Sequence, residues 1–508
     1  MSSSTQIKYG AIISYLAIFF NIAAGLLYTP WMVRQIGVSD FGLFSLIGAF
    51  LSYFLIDFGL GSSIARFIAR FRAEGKENEV NNLIGITTRI YLIIDFIILL
   101  VLLIVCFFLS NIFKELKPPE IEKFQIIYVI AGFFSIISFP LTPVSGALIA
   151  YERFFVLKLS DMAQKVFVIV LMVLALLMGY GLFALVLVNG FVGFGVKLFN
   201  FLYLKQKTKI RINLSFFDKN LAKELFSFSS WVFVIGIAQR LLLNIVPTIL
   251  GILSGSTQIA IFAIAMTLEG YTWTFANALN GLFLPKVTRM VSDDENRHEV
   301  SNLMIRVGRI QLLVIGLLIT GIVVLGKPFI SLWMGPDFIP SYYVVLFLVV
   351  PGIITLTQEI AYTLLFVVNE IKYRAILFIF ASVVSVIIGI ILAPKLGALG
   401  TAIGVGTALV ICHIVGMNVV YSRVIKLEIG RFFKSVHLQM FFPMVVAGIA
   451  SVVQQHFFQV NSWFSFLYSG VFFSVLFILL MWLFAMNKEE KSLVSEIVSK
   501  ATKFKKNR

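Results

Sequence analysis

The chain has 508 residues, 59% of them hydrophobic and only 13% charged, with a formal net charge of +16. A soluble protein of this length could not hide so much apolar surface, whereas apolar runs of about 20 residues or more suit a bilayer core of ~30 Å. The runs lack the period-two alternation of membrane barrel strands, so the predicted class is an all-α polytopic membrane protein.

In chain order, Ser2 to Lys8 leads into an apolar run that begins at Ala11. That run exceeds the ~7–15 residue core of a signal peptide and is taken as an uncleaved first span. Fourteen spans are predicted, near 11–33, 42–65, 83–111, 124–149, 157–178, 182–204, 226–250, 258–284, 308–326, 341–367, 375–393, 398–421, 436–456 and 463–486. Cys106 and Cys412 fall inside apolar runs and are expected to be small buried hydrophobes. The four histidines are scattered, without metal-ligand spacing.

A repeat organises these spans. Glu79–Ile90, EVNNLIGITTRI, returns as Glu299–Ile310, EVSNLMIRVGRI, with six of twelve positions identical. Pro30 pairs with Pro247, Tyr151-Glu152 with Asn369-Glu370, and Gly181-Leu182 with Gly397-Ala398. The spacing implies a unit of roughly 218 residues used twice. The expected domains are a first six-helix lobe over 1–204, a basic linker over 205–223, a second lobe over 224–424, and two further helices with a tail over 425–508. Six spans per copy is an even number, so both copies enter the membrane in the same direction around a central cavity.

Lysine and arginine set the predicted orientation. With the N-terminus inside, 33 of the 41 lie at cytoplasmic ends and loops, including the C-terminal tail. Outside lie only Arg34, Lys114, Lys117, Lys123, Lys327 and Lys395. The positive charge is thus a topology signal with both termini cytoplasmic, not a nucleic-acid footprint. The tail after Lys488 is expected at the anionic inner surface. External loops near 112–123 and 327–340 are too short for a folded domain, which argues against a membrane glycosyltransferase, polymerase or ligase.

An ionised side chain at the bilayer centre costs at least ~2.5–3.5 kcal/mol, and retained ones usually face a cavity. The interior candidates are Asp57, Asp95, Arg240, Glu269 and Glu359, with Arg34 and Lys197 nearer span ends. Arg240 has Gly236, Asn244 and Pro247 at helical spacing on its own face, and it either faces a wet lumen or pairs with Glu269 or Glu359. Glu269 shares a face with Trp273, Ala276 and Asn280, while Glu359 sits among Thr355, Gln358, Tyr362 and Thr363. Arg66 and Lys197 either snorkel to the interface or face the lumen. The candidate substrate contacts are therefore Arg240, Asn244, Glu269, Glu359, Asp57, Arg34, Arg66 and Lys197. Gly404-Val405-Gly406 is attributed to close helix packing.

Thr29–Ser45, TPWMVRQIGVSDFGLFS, followed by the DFGLGSSIAR of 57–66, resembles the Wzx-type polysaccharide flippases of the multidrug/oligosaccharidyl-lipid/polysaccharide (MOP) exporter superfamily. The resemblance covers essentially the whole chain, including a 6+6+2 arrangement of spans. It implies a two-lobed fold around a cavity in a bacterial cytoplasmic membrane, with no catalytic residues. It also implies movement of a lipid-linked oligosaccharide to the outer leaflet, with a polysaccharide polymerase and other assembly proteins as partners. No cofactor is implied beyond coupling to protons or sodium. A peptidoglycan-precursor flippase and a multidrug exporter of the same superfamily are the alternatives.

Overall fold

The structure, a computed structural model, describes residues 3–492 and 495, apart from 54–59, 209, 211–212, 214, 217, 278–282 and 292–296. Every regular element among the described residues is helical. The first copy runs α1 Ser3–Ile36, α2 Val38–Ser52, α3 Leu60–Ala73, α4 Glu77–Ile112, α5 Pro118–Ser138, α6 Pro143–Ala150, α7 Phe154–Leu177 and α8 Leu182–Lys207. The second runs α9 Lys219–Leu243, α10 Ile245–Leu253, α11 Ser256–Asn277, α12 Leu284–Val291, α13 Arg297–Met334, α14 Ile339–Val349, α15 Gly352–Thr355, α16 Glu359–Val367, α17 Lys372–Leu396, α18 Ala398–Ala408 and α19 Met417–Arg423. After it come α20 Ile429–Phe433, α21 Gln439–Phe457 and α22 Trp463–Leu480.

Twelve spans among the described residues are long and apolar enough to cross a membrane. They fall at twelve of the fourteen predicted positions. The predicted span 42–65 is instead α2, only 15 residues long, then residues outside the described set, then α3. The predicted span 258–284 corresponds to α11, whose 22 residues reach ~33 Å. Helices dominate because hydrocarbon offers no partner for backbone N–H and C=O groups. In α4, Phe96, Ile97, Leu100, Ile104 and Phe107 are exposed on one face, while Tyr91, Asp95, Ile98 and Leu102 are buried on the other. In water such an exposed stripe would aggregate; it suits lipid.

The duplication shows in the backbone. Gly37 (φ 87°) and Gly255 (φ 84°) turn the chain at equivalent points, as do Gly179 (φ 82°) and Gly397 (φ 55°), so that Gly179 takes the place expected of Gly181. A third pair carries side chains: Glu152 (φ 55°) and Asn369 (φ 58°). Each of these ends its helix with the same two bonds. Arg153 N donates to Leu148 O and Glu152 N to Ile149 O, both 2.9 Å; Glu370 N donates to Leu365 O at 2.9 Å and Asn369 N to Phe366 O at 3.2 Å. The structural register therefore matches Glu152 with Asn369, one residue away from the pairing expected from the letters.

Contacts between Cα atoms gather the chain into two units, Met1–Ala263 with Ser382–Thr401, and Ile264–Ala381 with Ala402–Arg508. The boundary between these units lies beyond the expected 205–223 linker, and α9 and α10 pack on α3 and α2 within the first unit. That unit holds Ser39-Asp40 of the sequence motif. Asp40 accepts from Lys123 at 2.8 Å. Ser39 and Ser256 both donate to Glu120 Oε1, at 2.5 and 2.7 Å. At Gly42 the neighbouring backbone is so close that an added Cβ would clash with the Ser256 carbonyl oxygen.

The second unit is pinned by Arg309, expected from sequence to be a cytoplasmic topology charge. It is only 4% exposed. Its Nε donates to Glu490 Oε1 at 2.5 Å and its Nη2 to Glu490 Oε2 at 3.0 Å. Nη1 and Nη2 also donate to the carbonyls of Ser435 and Ala485, both at 2.5 Å. These carbonyls lie in two π-helical segments, Lys434–Leu438 and Met481–Ala485. Glu490, expected in a surface tail, is thus docked against α13. Gly406 bears out its packing role: a Cβ there would come within 2.9 Å of the Phe347 carbonyl oxygen.

Removing one member of a buried ion pair costs ~3–5 kcal/mol, because the other charge stays buried. Arg309→Ala is accordingly expected to lower the thermal midpoint of the detergent-purified protein sharply, with Arg309→Ala/Glu490→Leu recovering much of the loss. Gly42→Ala forces a clash between Cβ and backbone; its measured outcome should be a large loss of monodisperse protein on size-exclusion chromatography.

Candidate functional site

Each copy interrupts its fourth helix at the same place. In the first, α5 and α6 are separated by a 3₁₀ turn at Phe139–Leu141. Pro140 and Pro143 lack the N–H that an α-helix needs, and Thr142 N bonds to Phe139 O at 3.0 Å. That choice leaves the Ser138 carbonyl without its usual i+4 partner. Lys197 of α8 answers it: Nζ lies 3.3 Å from Ser138 O and 3.5 Å from Thr142 Oγ1.

In the second copy, α15 and α16 are separated at 356–358, downstream of Pro351-Gly352. Here too the sixth helix supplies the polar partner. Gln358 Nε2 donates to Asn418 Oδ1 at 2.7 Å, and Asn418 Nδ2 donates to Ile414 O at 2.6 Å. Ile414 belongs to a π-helical segment, Leu409–Gly416. A broken helix facing a π segment is a recurrent setting for binding sites in membrane transporters.

Charge gathers at this second break. Glu359 occupies the first turn of α16, where the helix dipole favours an anion. Arg374, at the start of α17, acts electrostatically on Glu359. Its guanidinium lies 3.6 Å from the Tyr362 ring centroid and 5.1 Å from that of Phe378. The Phe378 and His413 rings are 4.1 Å apart, and buried His413 Nε2 has no hydrogen-bond partner. Glu359 and Arg374 close no ion pair among the described residues. The group is a cation stacked on an aromatic ring, a nearby carboxylate and an unused imidazole nitrogen. Such a set can bind a ligand carrying both hydroxyls and negative charge.

The remaining candidates are distributed as follows. Arg240 is half-buried near the end of α9, and a Cβ on Gly236 would lie 3.8 Å from its Nη1. Asn244 is the joint between α9 and α10: its Nδ2 donates to Ser52 Oγ at 3.0 Å and its carbonyl accepts the Tyr53 hydroxyl. The face expected to run unbroken from Gly236 to Pro247 is therefore interrupted at Asn244. Arg240 belongs to the first unit, and Glu269 and Glu359 to the second. Glu269 is 8% exposed and accepts a hydrogen bond from Trp273. Arg34 is exposed in the last turn of α1, and Arg66 is exposed on α3. Asp57 and Asn280 lie outside the described residues. Asp95 is buried with Oδ1 lacking a partner.

Across residues 7–291, more than half of its length, the chain matches the family described as polysaccharide biosynthesis protein. The chain belongs to this family. The resemblance carried by Thr29–Ser45 is thereby borne out. A relative of this family member, the uncharacterized membrane protein EpsK of Bacillus subtilis (strain 168), is 23% identical over 494 residues, spanning 94% of this chain and 95% of that one. The lipid II flippase MurJ, in an inward closed conformation, superposes with a TM-score of 0.65 at 13% identity, covering 94% of this chain and 97% of its own. An inward-facing multidrug resistance MATE family transporter of the MOP superfamily gives 0.62 at 16% identity, covering 81% of this chain and 98% of its own. At these identities the likeness is one of fold, and the fold is that of the MOP superfamily.

Sequence reasoning found Glu359 but missed Arg374, which stands in a short basic stretch, Lys372 to Arg374, beside the end of a span. The signal that could have found it is Tyr362 together with Gln358-Glu359 in an otherwise apolar run. Lys197 was expected either to snorkel or to face the lumen; the structure places its ammonium on the helix break. Lys197→Met should leave the Ser138 carbonyl unanswered and destabilise the protein by ~1–3 kcal/mol, read as a lower unfolding midpoint in detergent.

Proposed function

We propose that this protein carries a lipid-linked oligosaccharide of the polyprenyl-pyrophosphate type from the cytoplasmic to the outer leaflet of a bacterial cytoplasmic membrane, for assembly of a surface polysaccharide. The observation that carries this reading is the match to the polysaccharide biosynthesis family in a chain with twelve membrane-crossing helices. Its termini face the cytoplasm, as the lysine and arginine bias requires. Sugar hydroxyls and a pyrophosphate are expensive to bury in lipid without partners. A guanidinium about 4 Å from a phosphate contributes about 4 kcal/mol at an effective dielectric near 20. Arg374, stacked and not closed onto Glu359, and Arg240 are the two cations assigned to the headgroup. The lipid tail stays in the bilayer. Glu269 and Glu359 are the carboxylates through which proton or sodium coupling would act. An inside-negative potential favours outward movement of an anion by ~2.3 kcal/mol per charge per 100 mV. Alternating access by the two lobes supplies the path, with a polysaccharide polymerase acting on the delivered product.

A second reading, transport of a peptidoglycan precursor, is favoured by coverage: MurJ matches nearly all of this chain, whereas the MATE transporter is used up at 81% of it. Deletion separates the two. Loss of one surface polysaccharide with normal growth supports the first reading, and loss of viability supports the second.

The site is tested by complementing the deletion strain. Arg374→Gln and Arg240→Ala, present at normal membrane level, should each reduce exported polysaccharide by about tenfold or more, as loss of a charge-assisted bond predicts. Arg374→Lys keeps the charge but loses the flat stack on Tyr362 and should fall between. Wild-type export by both Arg374→Gln and Arg240→Ala would overturn the assignment.

A further inference from the structure

We propose that the second unit holds a site for one anionic phospholipid, with acyl chains in an apolar cavity and the phosphate on Arg423. The cavity has a volume of about 700 Å³. It lies among α13, the α14–α15 bend, the π segment Leu409–Gly416 and α21, with Ile319, Val323, Val410, Ile414, Phe433 and Met444 in its wall. Ile449, Val452 and Val453 on its rim are exposed, so the cavity belongs to the outer surface and not to the buried core. An apolar space of this kind stays dry and takes hydrocarbon.

A second cavity of about 450 Å³ shares Ile414 and Phe433 with the first and is lined by Asn418, Ser422 and Arg423. The two make one groove, apolar along most of its length and polar at one end. Arg423 closes α19 at that end, is exposed, and makes no hydrogen bond or ion pair among the described residues. The nearby acid Glu428 is already taken, by Arg431 at 2.9 Å and His298 at 2.7 Å. Lys426 and Lys434 add further positive charge to the stretch of chain that follows Arg423. A basic pocket between membrane helices on the side rich in lysine and arginine selects an anionic headgroup, and a guanidinium grips phosphate in two bonds. A zwitterionic lipid would set its ammonium against this cluster.

The backbone supplies independent support. Two of the three π-helical segments in the described residues border the groove: Leu409–Gly416 contributes Val410 and Ile414, and Lys434–Leu438 contributes His437. Such segments are uncommon and concentrate where a helix must open a surface for a ligand. His437 Nε2 lies 3.2 Å from Thr357 Oγ1, so the one ring in this wall that needs a polar partner has it and leaves the cavity apolar. Asn418 lines the polar cavity while bonding Gln358, so a bound lipid would abut the α15–α16 break from behind.

The test is thermal unfolding of the full chain in detergent, titrated with phosphatidylglycerol, phosphatidylcholine or undecaprenyl phosphate. Phosphatidylglycerol should raise the midpoint saturably, and phosphatidylcholine should not. Arg423→Gln, at an exposed position, should weaken the apparent affinity for phosphatidylglycerol at least tenfold. Arg431→Gln, whose guanidinium is held by Glu428, should bind as the unaltered chain does. Val410→Trp, which fills the apolar cavity, should abolish the saturable shift, and native mass spectrometry of the same sample should show the lipid adduct lost. Phosphatidylglycerol binding unchanged by Arg423→Gln would overturn the proposal. So would undecaprenyl phosphate displacing phosphatidylglycerol at lower concentration, which would make the groove a polyprenyl site.

Discussion

A helix that breaks inside hydrocarbon leaves backbone carbonyls with nothing to bond, and this constraint organises the molecule. Four polar side chains meet such interruptions, from another helix or from the same one. Lys197 covers the 3₁₀ turn at Phe139–Leu141. Tyr53 covers the α9–α10 joint at Asn244. Arg309 covers carbonyls of two π segments at once. Asn418, within its own helix, covers Ile414 in the third. Several costly charges in this chain are therefore part of its backbone hydrogen bonding. The same accounting isolates Glu359 and Arg374. They stand at a break where Gln358 and Asn418 bond each other, and no ion pair closes between them among the described residues.

Duplication supplied the plan, and divergence assigned the work. The fourth helix breaks at Phe139–Leu141 in one copy and at 356–358 in the other. The first is closed by a lysine and the second by an amide network beside a charged pair. The repeated segment diverged in the same way. Arg89 and Arg309 are the same letter at the same place in EVNNLIGITTRI and EVSNLMIRVGRI. Arg89 is exposed, while Arg309 is buried on Glu490, 181 residues further along. Glu490, the partner of Arg309, follows α21 and α22, two helices that lie outside the repeat.

A transporter of amphipathic cargo must offer polar contacts to the headgroup and hydrocarbon to the tail. The charged break and the groove ending at Arg423 both pair a polar end with an apolar surface. They differ in that Arg374 stands beside an acid and stacked rings, whereas the acid near Arg423, Glu428, is held by Arg431 and His298. On physical grounds the first suits a sugar-bearing headgroup and the second a simple lipid phosphate.

The sequence alone determined the class, the repeat and the family. Each rests on features that survive without coordinates: apolar runs longer than a bilayer, a repeat of roughly 218 residues, and the motif at Thr29–Ser45. It also picked out Glu359, because a carboxylate in an apolar run is costly wherever it points. Tertiary structure decided which charges are spent. Lys197, Arg309 and Glu490 are consumed by contacts with distant helices, and Arg374 is brought onto the Tyr362 ring, near Glu359, across a turn. Letters cannot report this, because the energy of a charge in a membrane depends on what lies within a few ångströms of it, and those neighbours are set by packing between helices far apart in the chain.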